Sequence, residues 1–99
     1  MTARINVPCN GNGGTHSVSK VADTITFGTS GKCTFISFGF DGYPAPSYPP
    51  GFSNRQPPTG GGATISYQYD GTPMPTGGYA FSYTTSADLG NGSGVIKNT

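Results

Sequence analysis

Over several short stretches of this chain every second residue is apolar, and glycine, proline and asparagine bound the stretches. A period of two is the signature of a strand with one buried face. Arg4 to Cys9 has it, with Ile5, Val7 and Cys9 on one side, and reads as a first strand. Asn10-Gly11-Asn12-Gly13-Gly14 reads as a turn-forming loop, because each of these residues tolerates positive φ. A weaker strand over Ser17 to Val21 and a clearer one over Thr24 to Phe27 follow, and Gly28 to Gly31 is a turn.

Cys33 to Phe40 is apolar on both sides. Strict alternation puts Cys33 and Phe35 on one face and Ile36, Phe38 and Phe40 on the other. Such a strand belongs in the middle of a sheet with cover above and below, or against another subunit. Asp41 to Gly62 then carries six prolines and a triple glycine, and proline offers no donor to a sheet, so this reads as one long loop. Ala63 to Tyr69 and Tyr79 to Thr85 return to alternation, aromatic on one face and hydroxyl on the other, and read as a two-strand meander. A Leu89 to Gly94 loop and a short strand over Val95 to Lys97 close the chain. The expectation is an all-β protein: one small Greek-key β-sandwich domain of six to seven strands over residues 1–99.

Composition sharpens that picture. Glutamate is absent, leucine occurs only at Leu89 and lysine three times, so the good helix formers are nearly missing. Thirteen threonines, ten serines, six tyrosines and six phenylalanines suit a pleated, half-buried surface instead. Disorder is not implied, because aromatics are plentiful and the net charge is only +1.

Arg4, Lys20, Lys32, Arg55 and Lys97 are scattered and form no basic stripe, which disfavours nucleic acid and an anionic membrane surface as partners. No apolar run approaches the length of a membrane-spanning helix, so no membrane insertion is expected. The opening Met-Thr-Ala-Arg-Ile-Asn lacks a hydrophobic leader core, which leaves a cytoplasmic protein, a subunit of a larger particle and a mature secreted form all open. Cys9 and Cys33, 24 positions apart, are either a disulfide or two buried thiols behaving as small hydrophobes.

The stretch Val18-Ser-Lys-Val-Ala-Asp-Thr-Ile-Thr-Phe-Gly-Thr-Ser-Gly-Lys-Cys-Thr-Phe35 looks like two early strands of a cupredoxin-like β-sandwich joined by a glycine turn. Gly78-Tyr-Ala-Phe-Ser-Tyr83, a glycine-rich loop and Gly94-Val-Ile96 look like that family's closing hairpin, and together the two stretches cover about half the chain. The resemblance implies the scaffold without its copper. Such a site takes two histidines, a cysteine and usually a methionine; here Tyr83 stands where the cysteine would, no histidine follows it, His16 lies too early, and Cys33 and Met74 are misplaced. The immunoglobulin-like sandwich is the rival, weakened by the absence of tryptophan and by the short cysteine spacing.

Reactive constellations are thin. His16 with Asp23 and a serine lacks a nucleophile elbow, and His16 with Cys9 and Cys33 lacks a fourth metal ligand. The glycines after Asn10 lack the lysine of a phosphate loop, while Asp41-Gly42, Asp70-Gly71 and Asp88 are weighed as calcium ligands but isolated Asp-Gly pairs read first as turns. Asn91-Gly-Ser93 has the pattern of a glycosylation acceptor. No catalytic residue, cofactor or metal is therefore expected. The informative segment is the long loop, where Tyr43, Tyr48 and Phe52 stand among prolines ahead of Asn54, Arg55 and Gln56. The rings fold back over the sandwich, or they offer a preformed contact surface to a protein partner, a second copy or a glycan. The leading expectation is a non-enzymatic interaction or structural-assembly module; the alternative is a small lectin-like domain stacking sugars on those rings.

Overall fold

The computed structural model describes residues 1–88 and 90–99. Eight strands follow one another: β1 (Thr2–Val7), β2 (Gly11–Val18), β3 (Thr24–Thr29), β4 (Phe35–Phe40), β5 (Phe52–Gln56), β6 (Thr64–Tyr69), β7 (Tyr79–Thr85) and β8 (Asn91–Asn98). They form two four-stranded sheets, ordered β1-β3-β6-β5 and β2-β8-β7-β4. Two pairs are parallel, β1 with β3 and β2 with β8, and the rest are antiparallel. Among the described residues this is an all-β sandwich with eight strands rather than six or seven.

The differences from the sequence reading have local causes. Gly11 to Gly14 is not loop but the start of β2, where Gly13 lies so close under β8 that a Cβ there would meet the Ser93 carbonyl at 2.7 Å. That strand ends at Val18, and 19–23 is a connection, not strand. β8 is longer than Val95 to Lys97 because Gly92 and Gly94 let the backbones pack closely beside β7 and β2. The 41–62 segment contains β5, an edge strand, which is where proline-flanked pairing is tolerated. β6 and β7 do not form a meander: the proline-containing 70–78 connection carries the chain from one sheet to the other, so their aromatic faces meet across the core.

β4 carries the largest correction. A register shift between Phe35 and Ser37 inserts one extra residue opposite β7. A bulge of this kind resets the alternation. Phe35, Phe38 and Phe40 consequently all face inward while Ile36 is 59% exposed. β4 is a one-sided edge strand, and the two-sided cover inferred from its sequence is not needed.

Aromatic rings fill the space that the scarce aliphatics leave. Phe27 is fully buried, with centroids 4.5 Å from Phe38 and 5.2 Å from Phe81, and Phe52 sits 5.1 Å from both Phe40 and Tyr69. Tilted and edge-to-face contacts of this kind add to the burial energy of each ring. At one end of the sandwich Cys9 and Cys33 form a disulfide, Cα to Cα 6.0 Å. Cys9 lies between β1 and β2 and Cys33 between β3 and β4, so the bond staples together two connections that each pass from one sheet to the other. Beside it the Tyr83 hydroxyl donates to the Pro8 carbonyl at 2.8 Å and that of Thr85 to the Cys9 carbonyl at 2.7 Å.

Candidate functional site

Both β4 and β5 are edge strands, of opposite sheets, and the chain between them closes that side of the sandwich. Pro49, fully buried, anchors it, and two turns hold it: Ser47 N–H donates to the Pro44 carbonyl at 2.8 Å and Phe52 N–H to the Pro49 carbonyl at 3.0 Å. The prolines restrict φ, so little further entropy is lost in fixing this segment.

Arg55 is the keystone of the closure. Its guanidinium donates to three main-chain carbonyls, Pro57 and Gly60 at 2.6 Å and Phe38 at 3.2 Å. The last of these belongs to β4, so one side chain ties the edges of the two sheets together. Its own N–H donates to the Tyr48 hydroxyl at 3.2 Å. Tyr48 in turn stands edge-on to Tyr67, centroids 6.1 Å apart and planes at 90°. Burial pushes the Tyr67 phenol above its ordinary pKa, with the neighbouring Arg55 charge and hydrogen bond pulling the other way.

Between this loop and β4 lies a cleft of about 140 Å³ lined by Tyr43, Tyr48, Arg55 and Tyr67 together with Pro46, Pro58 and Phe38, Gly39 and Phe40 of β4. Three of the six residues singled out from sequence, Tyr43, Tyr48 and Arg55, therefore come together. The other three do not. Phe52 points into the core, 5% exposed, and Asn54 and Gln56 bond each other at 3.0 Å on the outer side of β5. Tyr43 is half-buried and edge-on to Tyr79 at 5.9 Å, which leaves Tyr48, 39% exposed, as the ring most open to solvent. Tyr67 and the Phe38 carbonyl were not legible as site members: alternation placed both residues simply on a buried face.

No family model, curated protein or solved structure matches the chain. What the cleft can do is decided by its chemistry. It offers apolar ring and proline surface with hydroxyl-bearing residues Tyr43, Ser47, Tyr48, Thr59 and Tyr67 and one guanidinium, and its lining includes no carboxylate, imidazole or thiol. Small-molecule and cofactor sites enclose about 300 to 1,000 Å³; this cleft is well below that and suits a single side chain.

Elsewhere the candidate groups are engaged locally. His16 Nε2 bonds the Gly13 carbonyl oxygen at 2.6 Å, whereas Asp23 pairs with the Met1 ammonium at 2.8 Å. Asp41 accepts from the Ser82 hydroxyl and Asp70 from Thr72. Among the described residues no three His, Cys, Asp or Glu side chains gather as metal ligands would. The outer face of β4, β7 and β8 forms a shallow, open depression of about 400 Å³ lined by Ser37, Ser82, Thr84 and Ser93, and its Ser37 and Thr84 hydroxyls bond each other at 2.7 Å.

Proposed function

We propose that this chain is an interaction or structural-assembly module, a β-sandwich that works by contact rather than by chemistry. The observation that supports this reading is the cleft beside β4, a preformed aromatic and proline surface centred on the half-exposed Tyr48 and held in shape by Arg55. Its size favours one apolar or proline side chain of a protein segment, and a pre-shaped cleft of this kind binds without a large ordering cost. The low charge agrees with a surface meant for contact rather than for staying apart from neighbours. The cupredoxin-like resemblance remains part of the proposal at the level of the scaffold. The antiparallel β7–β8 hairpin supports it, with Tyr83 hydrogen-bonded to Pro8 at the position the resemblance gives to a copper-ligand cysteine.

Selection from a displayed library of extended peptides tests the reading. Peptides sharing one apolar or proline anchor, whose affinity falls about tenfold or more with Tyr48→Ala and not with Ser53→Ala, support it. A library that yields no Tyr48-dependent binder counts against it. The glycan alternative rests on fewer groups, since Phe52, Asn54 and Gln56 do not line the cleft. A glycan array whose hits depend on Tyr43 and Tyr48 would transfer the proposal to that class.

A further inference from the structure

Of the four sheet edges, three are guarded by the chain itself. β4 is bridged at both ends, Phe35 with Gly62 and Phe40 with Tyr43, and its Phe38 carbonyl is taken by Arg55. β5 is short, irregular in register, has Asn54 at φ 51 and runs into Pro57 and Pro58. β2 has a register break at Asn12 to Gly14, where the Asn12 side chain accepts from Gly14 N–H and the His16 ring bonds Gly13 O. Bulges, prolines and self-bonding side chains are the devices by which proteins prevent strand-to-strand pairing.

β1 has none of them among its six residues. Val7 O accepts from Ser30 N–H and Met1 O from Asp23 N–H, so odd-numbered residues bond toward β3. In a strand the bonding direction alternates, and Thr2, Arg4 and Asn6 therefore turn their N–H and C=O groups outward, to the side where the sheet ends. All three residues are exposed. Arg4, the one charge on this strand, does not stand guard: its guanidinium lies against Gly28 on its own sheet and its Nε donates to the Asn6 side chain at 3.3 Å.

We propose that β1 is a self-assembly edge, on which a second copy of this chain lays its own β1 antiparallel so that two four-stranded sheets become one. This names the partner and surface of the assembly reading above and rests on it. Charge selects the register. Centring the two-fold axis on Arg4 would oppose two guanidinium side chains, which is unfavourable. Centring it on Ile5 places Arg4 opposite Asn6 of the second copy, so each outward N–H and C=O of these residues gains a partner and the cation meets an amide it already bonds within one copy. Pro8, which has no N–H, ends the ladder there.

Sedimentation equilibrium from micromolar to millimolar protein, run beside amide hydrogen exchange, tests this. The expected result is a mass rising from 10.1 kDa toward twice that value, with exchange at Arg4 and Asn6 slowing as concentration rises. Asn6→Lys, an exposed substitution that opposes two cations, is expected to weaken self-association about tenfold or more, and Tyr48→Ala to leave it unchanged. A protein monomeric throughout, or a dimer in which the Arg4 and Asn6 amides exchange as in the monomer, overturns the edge proposal. The second outcome leaves the broader contact reading standing, and dimerisation lost with Tyr48→Ala but not with Asn6→Lys would place the interface at the cleft and overturn the edge.

Discussion

Phe35 and Phe38 are three positions apart on one strand, yet both rings face the core, centroids 5.7 Å apart and planes at 79°. Residues an odd number apart on a regular strand point to opposite faces, and the bulge opposite Thr84 and Thr85 removes that constraint. Phe38 then packs between Phe27 at 4.5 Å and Phe81 at 5.4 Å. Substitutions at Ile36 and Phe38, which plain alternation would treat alike, should therefore diverge. Phe38→Ala is expected to cost about 3 to 5 kcal/mol by leaving a cavity, and Ile36→Ser to stay within about 0.5 kcal/mol of wild type. Urea denaturation midpoints measure both, and equal costs at the two positions would contradict the bulge.

The Cys9–Cys33 bond closes a separation of 24 residues. A loop of that size corresponds to about 3 kcal/mol in the chain-entropy account. Reduction, or the double change to alanine, is expected to lower stability by that order while leaving the strands in place. A denaturation curve that does not move on reduction would show that the hydrogen bonds of Tyr83 and Thr85 suffice to hold this end.

Arg55 satisfies three carbonyls with one planar, multidentate group. Lysine has the charge without the fork. Arg55→Lys is thus expected to lose about 2 kcal/mol and to speed exchange of amides in the loop and in β5. A lysine variant as stable as wild type would mean that the two edges hold together without this bridge.

Tyr67, Tyr79 and Tyr83 all have phenols whose pKa is raised, in each case chiefly by burial. The folded state thus keeps these protons more tightly than the unfolded chain does. Their contribution is whole below the ordinary phenol value of about 10 and is lost as pH climbs from there through the raised folded values. Denaturation midpoints followed upward from about pH 9 should be flat at first and then fall, in step with the late part of the phenolate absorbance rise. A stability that increased with alkalinity would refute the assignment.

Gly78 combines φ 76 with a position where a Cβ would run into the Ile96 carbonyl. By contrast, a Cβ on Gly39 would meet nothing within 4 Å. Gly78→Ala is expected to cost about 2 kcal/mol or more, and Gly39→Ala to gain about 0.5 kcal/mol by reducing the freedom of the unfolded chain. Thermal melts of the two variants should move in opposite directions.

Much of this was legible from residue order. Alternation at Ile5 and Val7, Ile25 and Phe27, Ile65, Tyr67 and Tyr69, and Tyr79, Phe81 and Tyr83 identified the inward residues correctly, because the side-chain period of a strand is a local property. The absence of glutamate and near-absence of leucine pointed away from helices for an equally local reason, the intrinsic preference of each residue. The tyrosines and Arg55 of the loop were recognisable as a group because prolines around them fix the backbone.

Tertiary structure decided the rest. Whether Asn10-Gly11-Asn12-Gly13-Gly14 turns or extends depends on a partner, β8, some eighty residues away, and glycine permits either. That β6 and β7 oppose each other across the core rather than pairing, that Phe52 turns inward while Tyr48 stays at the surface, and that a bulge redirects Phe38 are outcomes of packing two sheets at native density. Sequence determines which residues prefer to leave water; only the assembled fold determines which neighbours they meet there, because those contacts join positions distant along the chain.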